Sequence, residues 1–395
     1  MKLPEPAPIE NDILNFFADR NFERSRRFAP GAYDPGILRR FLSAMDNPQF
    51  SYRTLHIAGT VGKGSVTTFL ARALAALGLR TGAYLSPHFV SLRERITING
   101  GPISADDLTN EWRALARQQN IGQLSFFDAM TALAFAHFHR RGCHWAVIET
   151  GLGGRFDSTN NLLAQAAIIT RIGYDHRQLL GDTLTAIAGE KAGIIRQGQN
   201  VYTFPQADEV MQVLIGTCNR EGARLIVIAP QGEDFIQQNL DFALQVIHNE
   251  LGLTAATAAS IAHEVDRPIF GRFAELQHSP RIVFDGAHNA PAMYALAAIV
   301  NRQPESDCNI FLNTMQERDI AEFCGILTQQ IIKNVRLFLF PMPQPQYYAA
   351  AMVSPALATP DMGEIHTMLR DSKQLHIFTG SMGIFAELHK QITYV

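Results

Sequence analysis

The chain has 395 residues, 47% of them hydrophobic and 18% charged, with a formal net charge of -3 and a pI near 6.5. This length predicts two domains, and the near-neutral balance excludes a bulk electrostatic case for binding nucleic acid or an anionic membrane. The polar, proline-rich start "MKLPEPAPIEND" has no apolar signal core, no later run is long enough to span a membrane, and the four cysteines form no CxxC pair. The expectation is a cytoplasmic protein with reduced thiols.

From the N-terminal side, apolar strand-like runs alternate with amphipathic stretches of helical length. "TLHIAG" precedes a helix expected over 65–79, and "TGAYLS" follows it. A long helical stretch covers 126–140, and "HWAVIET" comes after it. "AAIITRI", a helix around 183–195, "NVYTF", another helix and "ARLIVIA" complete the first series. Continuously apolar strands alternating with helices predict an α/β fold whose mostly parallel sheet is flanked by helices.

A second series starts with "RIVFDGAHN" and a helix reaching residue 301. It continues through "CNIFLN", a helix over 319–332, "NVRLFLF", "LHIFTG" and a closing helix. The intervening "EVDRPIFGRFAELQHSP" shows no periodicity, so the expected domains are 1–267 and a smaller Rossmann-like α/β domain, 268–395. "PMPQPQYY" at 341–348 reads as a loop within the second domain.

Three segments carry chemistry. In "AGTVGKGS", residues 58–65, a glycine-rich turn joins a strand to a helix, which predicts an anion site made of backbone N–H groups. Gly59, Gly62 and Gly64 allow close approach of the backbone, and Lys63 offers a mobile cation. The strict phosphate-loop pattern fails: residue 57 is Ile, and Gly64 separates Lys63 from Ser65. In "VIETGLGGRFDSTN", Glu149 ends an apolar strand, where a carboxylate faces the ligand crevice of an α/β sheet and suits Mg²⁺. Alone, Glu149 reads equally as a turn residue. In "IGYDHRQLLGDTLTAIAGEKAGII", His176 follows another apolar strand, and Lys191 lies on the next helix. The chain has 28 Arg and six Lys, so lysines at 63 and 191 suggest a need for an amine, which unlike a guanidinium can be deprotonated and modified. A surface lysine and a structural histidine are the plain alternatives.

Taken together, "AGTVGKGS", "LSPHFVSLRERITINGGPIS", "FFDAMTALAF", "ETGLGGRFDSTN", "GEKAGII", "GRF" at 271–273 and "DGAHN" at 285–289 resemble, in that order, the folylpolyglutamate synthase/dihydrofolate synthase family of the Mur ligase group. The resemblance runs from about residue 35 onward. It implies an ATP-dependent ligase that adds L-glutamate to dihydropteroate or reduced folates through an acyl phosphate, with no nucleic-acid or membrane partner, as a monomer. By the same resemblance the ATP phosphates lie on Gly59, Thr60, Gly62, Lys63, Gly64 and Ser65, and Asn239, Arg272, Asp285 and His288 are nucleotide contacts. Ser86, Glu149, His176 and Lys191 would hold two Mg²⁺ ions, Lys191 as a carbamate. The pterin is expected near Phe126, Phe127, Arg155, Phe156, Asp157 and Ser158, with core packing the alternative for one of the two helical phenylalanines. The C-terminal domain is expected to close over ATP and bind glutamate.

Val61 departs from the family, which usually has Asn there; its β-branched side chain restricts the loop. Val61 is the sole hint of a relative that has lost catalysis. A Mur-type peptide ligase is the other alternative, against which the 85–104 run speaks.

Overall fold

A computed structural model describes residues 3–18, 35–354, 357–370 and 374–391; the outer ends of the two expected domains lie outside them. Two compact units are present, one formed mainly by Lys2–Gly232 and Gln237–Arg267, the other by Glu233–Ile236 and Pro268–Val395.

The larger unit contains α1 (Pro8–Phe16), α2 (Pro35–Ser43), β1 (Arg53–Ala58), α3 (Lys63–Ala76) and β2 (Thr81–Tyr84). Next come β3 (Ile96–Ile98), β4 (Gly101–Pro102), α4 (Ala105–Ala116), α5 (Phe126–Arg140) and β5 (Trp145–Glu149). It continues with β6 (Ala166–Ile169), α6 (Arg177–Leu180), α7 (Leu184–Lys191), β7 (Asn200–Thr203), α8 (Asp208–Glu221) and β8 (Arg224–Val227). Helices α9 (Phe235–Leu251) and α10 (Ala255–Val265) follow. The eight strands run in the order β4-β3-β2-β5-β1-β6-β7-β8. From β2 to β8 all neighbours are parallel, while β3 and β4 add an antiparallel edge.

Central β1 is buried at every residue after Arg53, as a strand covered on both faces requires. Helix α5 starts at a capping box in which Ser125 Oγ accepts Asp128 N–H and Asp128 Oδ2 accepts Ser125 N–H. Nearly every side chain of α5 is buried, so this helix is interior rather than amphipathic, and a large apolar cluster forms around it.

The smaller unit holds β9 (Ala274–Gln277), β10 (Arg281–Phe284), α11 (Ala290–Asn301), β11 (Asp307–Leu312) and α12 (Ile320–Gln330). After them come β12 (Asn334–Leu339), α13 (Met362–Met368), β13 (Leu375–Thr379) and α14 (Gly383–Gln391). The strand order is β12-β11-β13-β10-β9. All pairs are parallel except β9 against β10.

The sequence patterns miss the short antiparallel strands. Residues 96–102 and 274–277, the second set within the stretch read as irregular, carry too few residues to display alternation and are defined by their partners. Helix α7 stops at Lys191 and passes into a 3₁₀ turn, Ala192–Ile194, where one continuous helix to residue 195 is expected.

Candidate active site

The glycine-rich loop leaves the C-terminal end of β1, between β5 and β6. Gly59 has φ +154°, and a Cβ there would lie 1.8 Å from Thr170 Oγ1, so no other residue fits. Thr60 and Val61 both donate their N–H groups to the carbonyl of Arg171, at 3.0 and 3.1 Å. Val61 thereby forms an antiparallel bridge with Arg171, an extended conformation that a β-branched residue favours. These two amides are occupied within the protein, so an anion would meet the residues that follow.

Gly62, at φ +93°, opens α3 without a side-chain cap. First-turn N–H groups of a helix have no intrahelical acceptor, and a positive dipole end adds to their pull on an anion. Ser65 Oγ, in that first turn, is buried without a hydrogen-bond partner.

Two lysines converge on one atom of this loop. Lys63 Nζ donates to the Gly59 carbonyl at 3.2 Å, and Lys191 Nζ, at the end of α7, donates to the same oxygen at 2.7 Å. Lys191 is 4% exposed. Burial, then the neighbouring charge of Lys63, brings its ammonium down to about 7, against the opposing pull of Asp175, Asp157 and Glu190. It is not a surface lysine.

Glu149 ends β5, level with Ile57 in the adjoining β1, and is buried. Its Oε2 accepts the Ser86 N–H at 3.3 Å. His176 follows β6 in a left-handed conformation, φ +47°, with its side chain 38% exposed and Nε2 3.8 Å from Asp175 Oδ1. Among the described residues no three His, Cys, Asp or Glu side chains come together as a metal-holding group. Ser86 and Glu149 are thus in contact, Lys63 and Lys191 meet at Gly59, and His176 is paired with Asp175. A buried carboxylate at the end of β5 and, on the loop leaving the adjoining β1, an uncapped helix start with a partnerless serine hydroxyl suit Mg²⁺, which takes few protein ligands and completes its shell with phosphate oxygens and water.

The six residues expected around a pterin separate into two groups. Phe126 is 1% exposed, under the Arg95 guanidinium at 5.3 Å and edge-on to Phe17; it packs the core and presents no face to a ligand. Asp157 is buried, with Oδ1 accepting Thr159 N–H and Oγ–H and Oδ2 accepting Leu152 N–H. Its carboxyl is pushed up by burial and pulled back by those bonds. Ser158 Oγ donates to Asp128 Oδ1 and is also buried. Asp157 and Ser158 thus brace their loop from within, while Phe126 belongs to the core.

Phe127, Arg155 and Phe156 keep accessible surface. Phe127 lies so close to Gly151 that a Cβ there would fall 2.5 Å from Cζ, and it is 5.8 Å from the Tyr84 ring. Arg155 pairs with Glu190 at 3.4 Å, and Phe156 is 54% exposed.

The support beneath this loop is not marked by any local sequence motif. Thr159 donates to Asp157, so its oxygen must accept from His56 Nε2–H at 2.8 Å. Burial, helped by Arg196, depresses His56 to about 3 and keeps it neutral. A histidine inside the apolar run of β1 was the available signal. Asp128, one helical turn into α5, and Asp175, beside His176, are further buried carboxylates that local pattern did not single out.

Asn239 on α9 is fully buried, its Oδ1 accepting from Arg171 Nη1 at 3.0 Å, so it reaches the loop's surroundings only through Arg171. In the smaller unit Arg272, Asp285 and His288 are near neighbours. Asp285 accepts Phe273 and Ala287 N–H groups at 2.7 and 2.8 Å. Burial raises its carboxyl, with Arg272 and the two amides opposing. His288 Nδ1–H donates to the Gly286 carbonyl, and a Cβ on Gly286 would sit 3.0 Å from Arg272 Nη1.

A family model described as the Mur ligase middle domain matches residues 57–275. The dihydrofolate synthase/folylpolyglutamate synthase of Bacillus subtilis (strain 168) is 28% identical over 412 residues, 90% of this chain and 94% of its own. A probable dihydrofolate synthetase of Schizosaccharomyces pombe is 41% identical over 296 residues, 67% of this chain and 71% of its own. In three dimensions the chain is similar to a bifunctional folylpolyglutamate synthase/dihydrofolate synthase of Yersinia pestis complexed with AMPPNP and Mn ion. The TM-score is 0.83 at 21% identity, with 98% of this chain and 99% of that one covered. At that identity the likeness establishes the fold. Among the described residues no helix is long and apolar enough to cross a membrane.

Proposed function

The chain belongs to the folylpolyglutamate synthase/dihydrofolate synthase family of Mur-type, ATP-dependent amide-forming ligases, and on that premise we propose that it joins L-glutamate to dihydropteroate or a reduced folate at the loop over 58–65. The observation that carries the assignment is the meeting of Lys63 and Lys191 at the Gly59 carbonyl, beside the uncapped start of α3. The Lys63 ammonium and the first-turn amides of α3 suit a polyphosphate, whose charge they offset.

In the proposed reaction a carboxylate oxygen of the pterin substrate attacks the γ-phosphorus of ATP. The bond to the β–γ bridging oxygen breaks and ADP leaves. The glutamate amine then attacks the acyl carbon, phosphate departs, and the nitrogen gives up a proton as the amide forms. The first-turn amides of α3 and Lys63 hold the phosphates in line and neutralise charge that moves toward the leaving ADP.

Glu149 is the principal metal ligand in this reading, with Ser86, His176 and Lys191 completing two divalent-ion sites; bound Mg²⁺ would supply further neutralisation of the phosphates. A neutral amine is what adds to CO₂, and an ammonium near 7 leaves Lys191 able to become the carbamate the reading assigns to it. Phe127, Arg155 and Phe156 are the pterin-facing side chains, while Asp157 and Ser158 hold their loop in shape. The reading gives the C-terminal unit, with Arg272, Asp285 and His288, the capture of glutamate, nucleotide contacts and exclusion of water from the acyl phosphate. Val61, the residue that suggests lost catalysis, meets no conformational penalty at its bridge.

Purified protein is incubated with ATP, Mg²⁺ and glutamate, with dihydropteroate in one reaction and tetrahydrofolate in another. A mass increase of one glutamyl residue, with equimolar ADP, is expected in at least one of them. Absence of both products would refute the assignment, and the pattern decides between single and dual activity.

A further inference from the structure

Arg171, the second residue beyond β6, touches the phosphate loop with its backbone and α9 with its side chain. Its carbonyl holds the Thr60 and Val61 amides. Its guanidinium lies 3.9 Å from the centre of the Phe204 ring, which stacks at 3.9 Å and 14° on Phe242 of α9. From that platform Nη1 donates to Asn239 Oδ1 at 3.0 Å and Nη2 to Gln238 Oε1 at 2.6 Å.

The consequence for Asn239 is an orientation. A guanidinium only donates, so the amide oxygen must face it and the NH₂ group must face away. That Nδ2 is buried and has no hydrogen-bond partner. A buried donor left so costs roughly 1–3 kcal/mol, which an incoming acceptor would relieve. The one residue that sets this orientation also braces the loop proposed to hold the phosphates. A nucleotide carries an acceptor-bearing ring at the distance of a sugar from its phosphates.

We propose that Arg171 is a positioning residue for the nucleotide base, fixing the Asn239 amide so that its NH₂ group meets a purine acceptor and its oxygen's second lone pair meets an amino group. The inference rests on the ATP-dependent reading above. Adenine presents that donor–acceptor pair on its N6/N7 edge, whereas guanine presents two acceptors there. With the oxygen anchored, the amide matches adenine alone; released, it can rotate and serve guanine as well. Arg171 therefore sets adenine selectivity without touching the base.

The test compares equilibrium binding of ATP, GTP and inorganic tripolyphosphate to the full-length wild type and to Arg171→Met, which keeps an apolar side chain on Phe204. The expected result is an ATP Kd about tenfold higher, a lower GTP Kd and tripolyphosphate affinity within about twofold of wild type, since the Arg171 carbonyl remains. An unchanged ATP-to-GTP ratio overturns the proposal, as does equal weakening of tripolyphosphate, which a collapsed loop would produce. Should Arg171→Met fail to fold, Gln238→Ala replaces it; a shift of about threefold in the same ratio supports the proposal and no shift refutes it. Wild type that binds ATP but releases no ADP with any pterin would sink the ligase reading while leaving the base selectivity to be judged on binding. Wild type that binds no ATP would sink both.

Discussion

Replacing Lys191 by methionine should make the protein more stable at low pH while abolishing its activity. The lysine is buried beside Lys63, and its ammonium is brought from 10.5 to about 7. That drop corresponds to about 5 kcal/mol of preference for the neutral form. Between about 7 and 10.5 the unfolded chain carries the proton and the folded chain does not, so stability rises with pH across this window. Below about 7 both states are protonated and the full cost of burying the charge is present.

Methionine has no such cost but loses the bond to the Gly59 carbonyl, worth about 2 kcal/mol for a charged donor. The expected gain is therefore about 3 kcal/mol at pH 6, fading to nothing near pH 9. Urea unfolding of both proteins at the two pH values measures the difference. A variant no more stable than wild type at pH 6, or a gap that ignores pH, would refute the burial argument. Catalysis should behave oppositely. At pH 7.5 a lysine titrating near 7 is about three-quarters neutral, against about 0.1% for an ordinary one. Turnover that needs the neutral amine to take up CO₂ should fall as pH drops below about 7, and it should fall in CO₂-depleted buffer. Lys191→Ala should be nearly inactive and partly rescued by small carboxylates; full turnover of that variant at saturating Mg²⁺ removes Lys191 from the mechanism.

Glu149→Gln should stop metal-dependent ADP release while the circular dichroism spectrum is retained; unchanged turnover would rule out the proposed metal site. Gly59→Ala places a Cβ against Thr170 and should cost about 3 kcal/mol or more of stability, measured by thermal melting. The double variant Gly59→Ala/Thr170→Ala should not restore it, because the Thr170 main-chain carbon lies 3.2 Å from the same position. His56 is held neutral with a folded value of about 3, so an unfolded chain that protonates near 6.5 drains stability as pH falls through that interval. By pH 5 this amounts to about 2 kcal/mol, and His56→Gln should lose correspondingly less stability between pH 7 and pH 5. Val61→Asn should change kcat/KM for ATP by less than about threefold, since the main-chain bridge to Arg171 persists; a tenfold gain would show that the side chain, not the bridge, matters at this position.

Local pattern was enough to place the strand–turn–helix at 53–76, the interior helix at 126–140 and the parallel β-α series, because each is written in consecutive residues. A run of apolar side chains flanked by glycine makes a covered strand wherever it occurs, and Gly59, Gly62 and Lys63 announce an anion site by spacing alone. Neighbouring phenylalanines 126 and 127 show where that reasoning stops. They are identical in sequence terms, yet adjacent helical positions point about 100° apart, so one enters the core beneath Arg95 and the other lies against Gly151. The same limit hid Arg171 and His56, whose partners lie tens of residues away in the chain. Sequence by itself therefore determined the fold class, the family and the position of the glycine-rich loop. Only the tertiary structure decided that two lysines share one carbonyl, that Thr60 and Val61 have already given their amides to Arg171, and which of the two phenylalanines is buried in the core. Those outcomes depend on which distant groups are brought within hydrogen-bonding distance and sealed from water, and spacing along the chain carries no record of that.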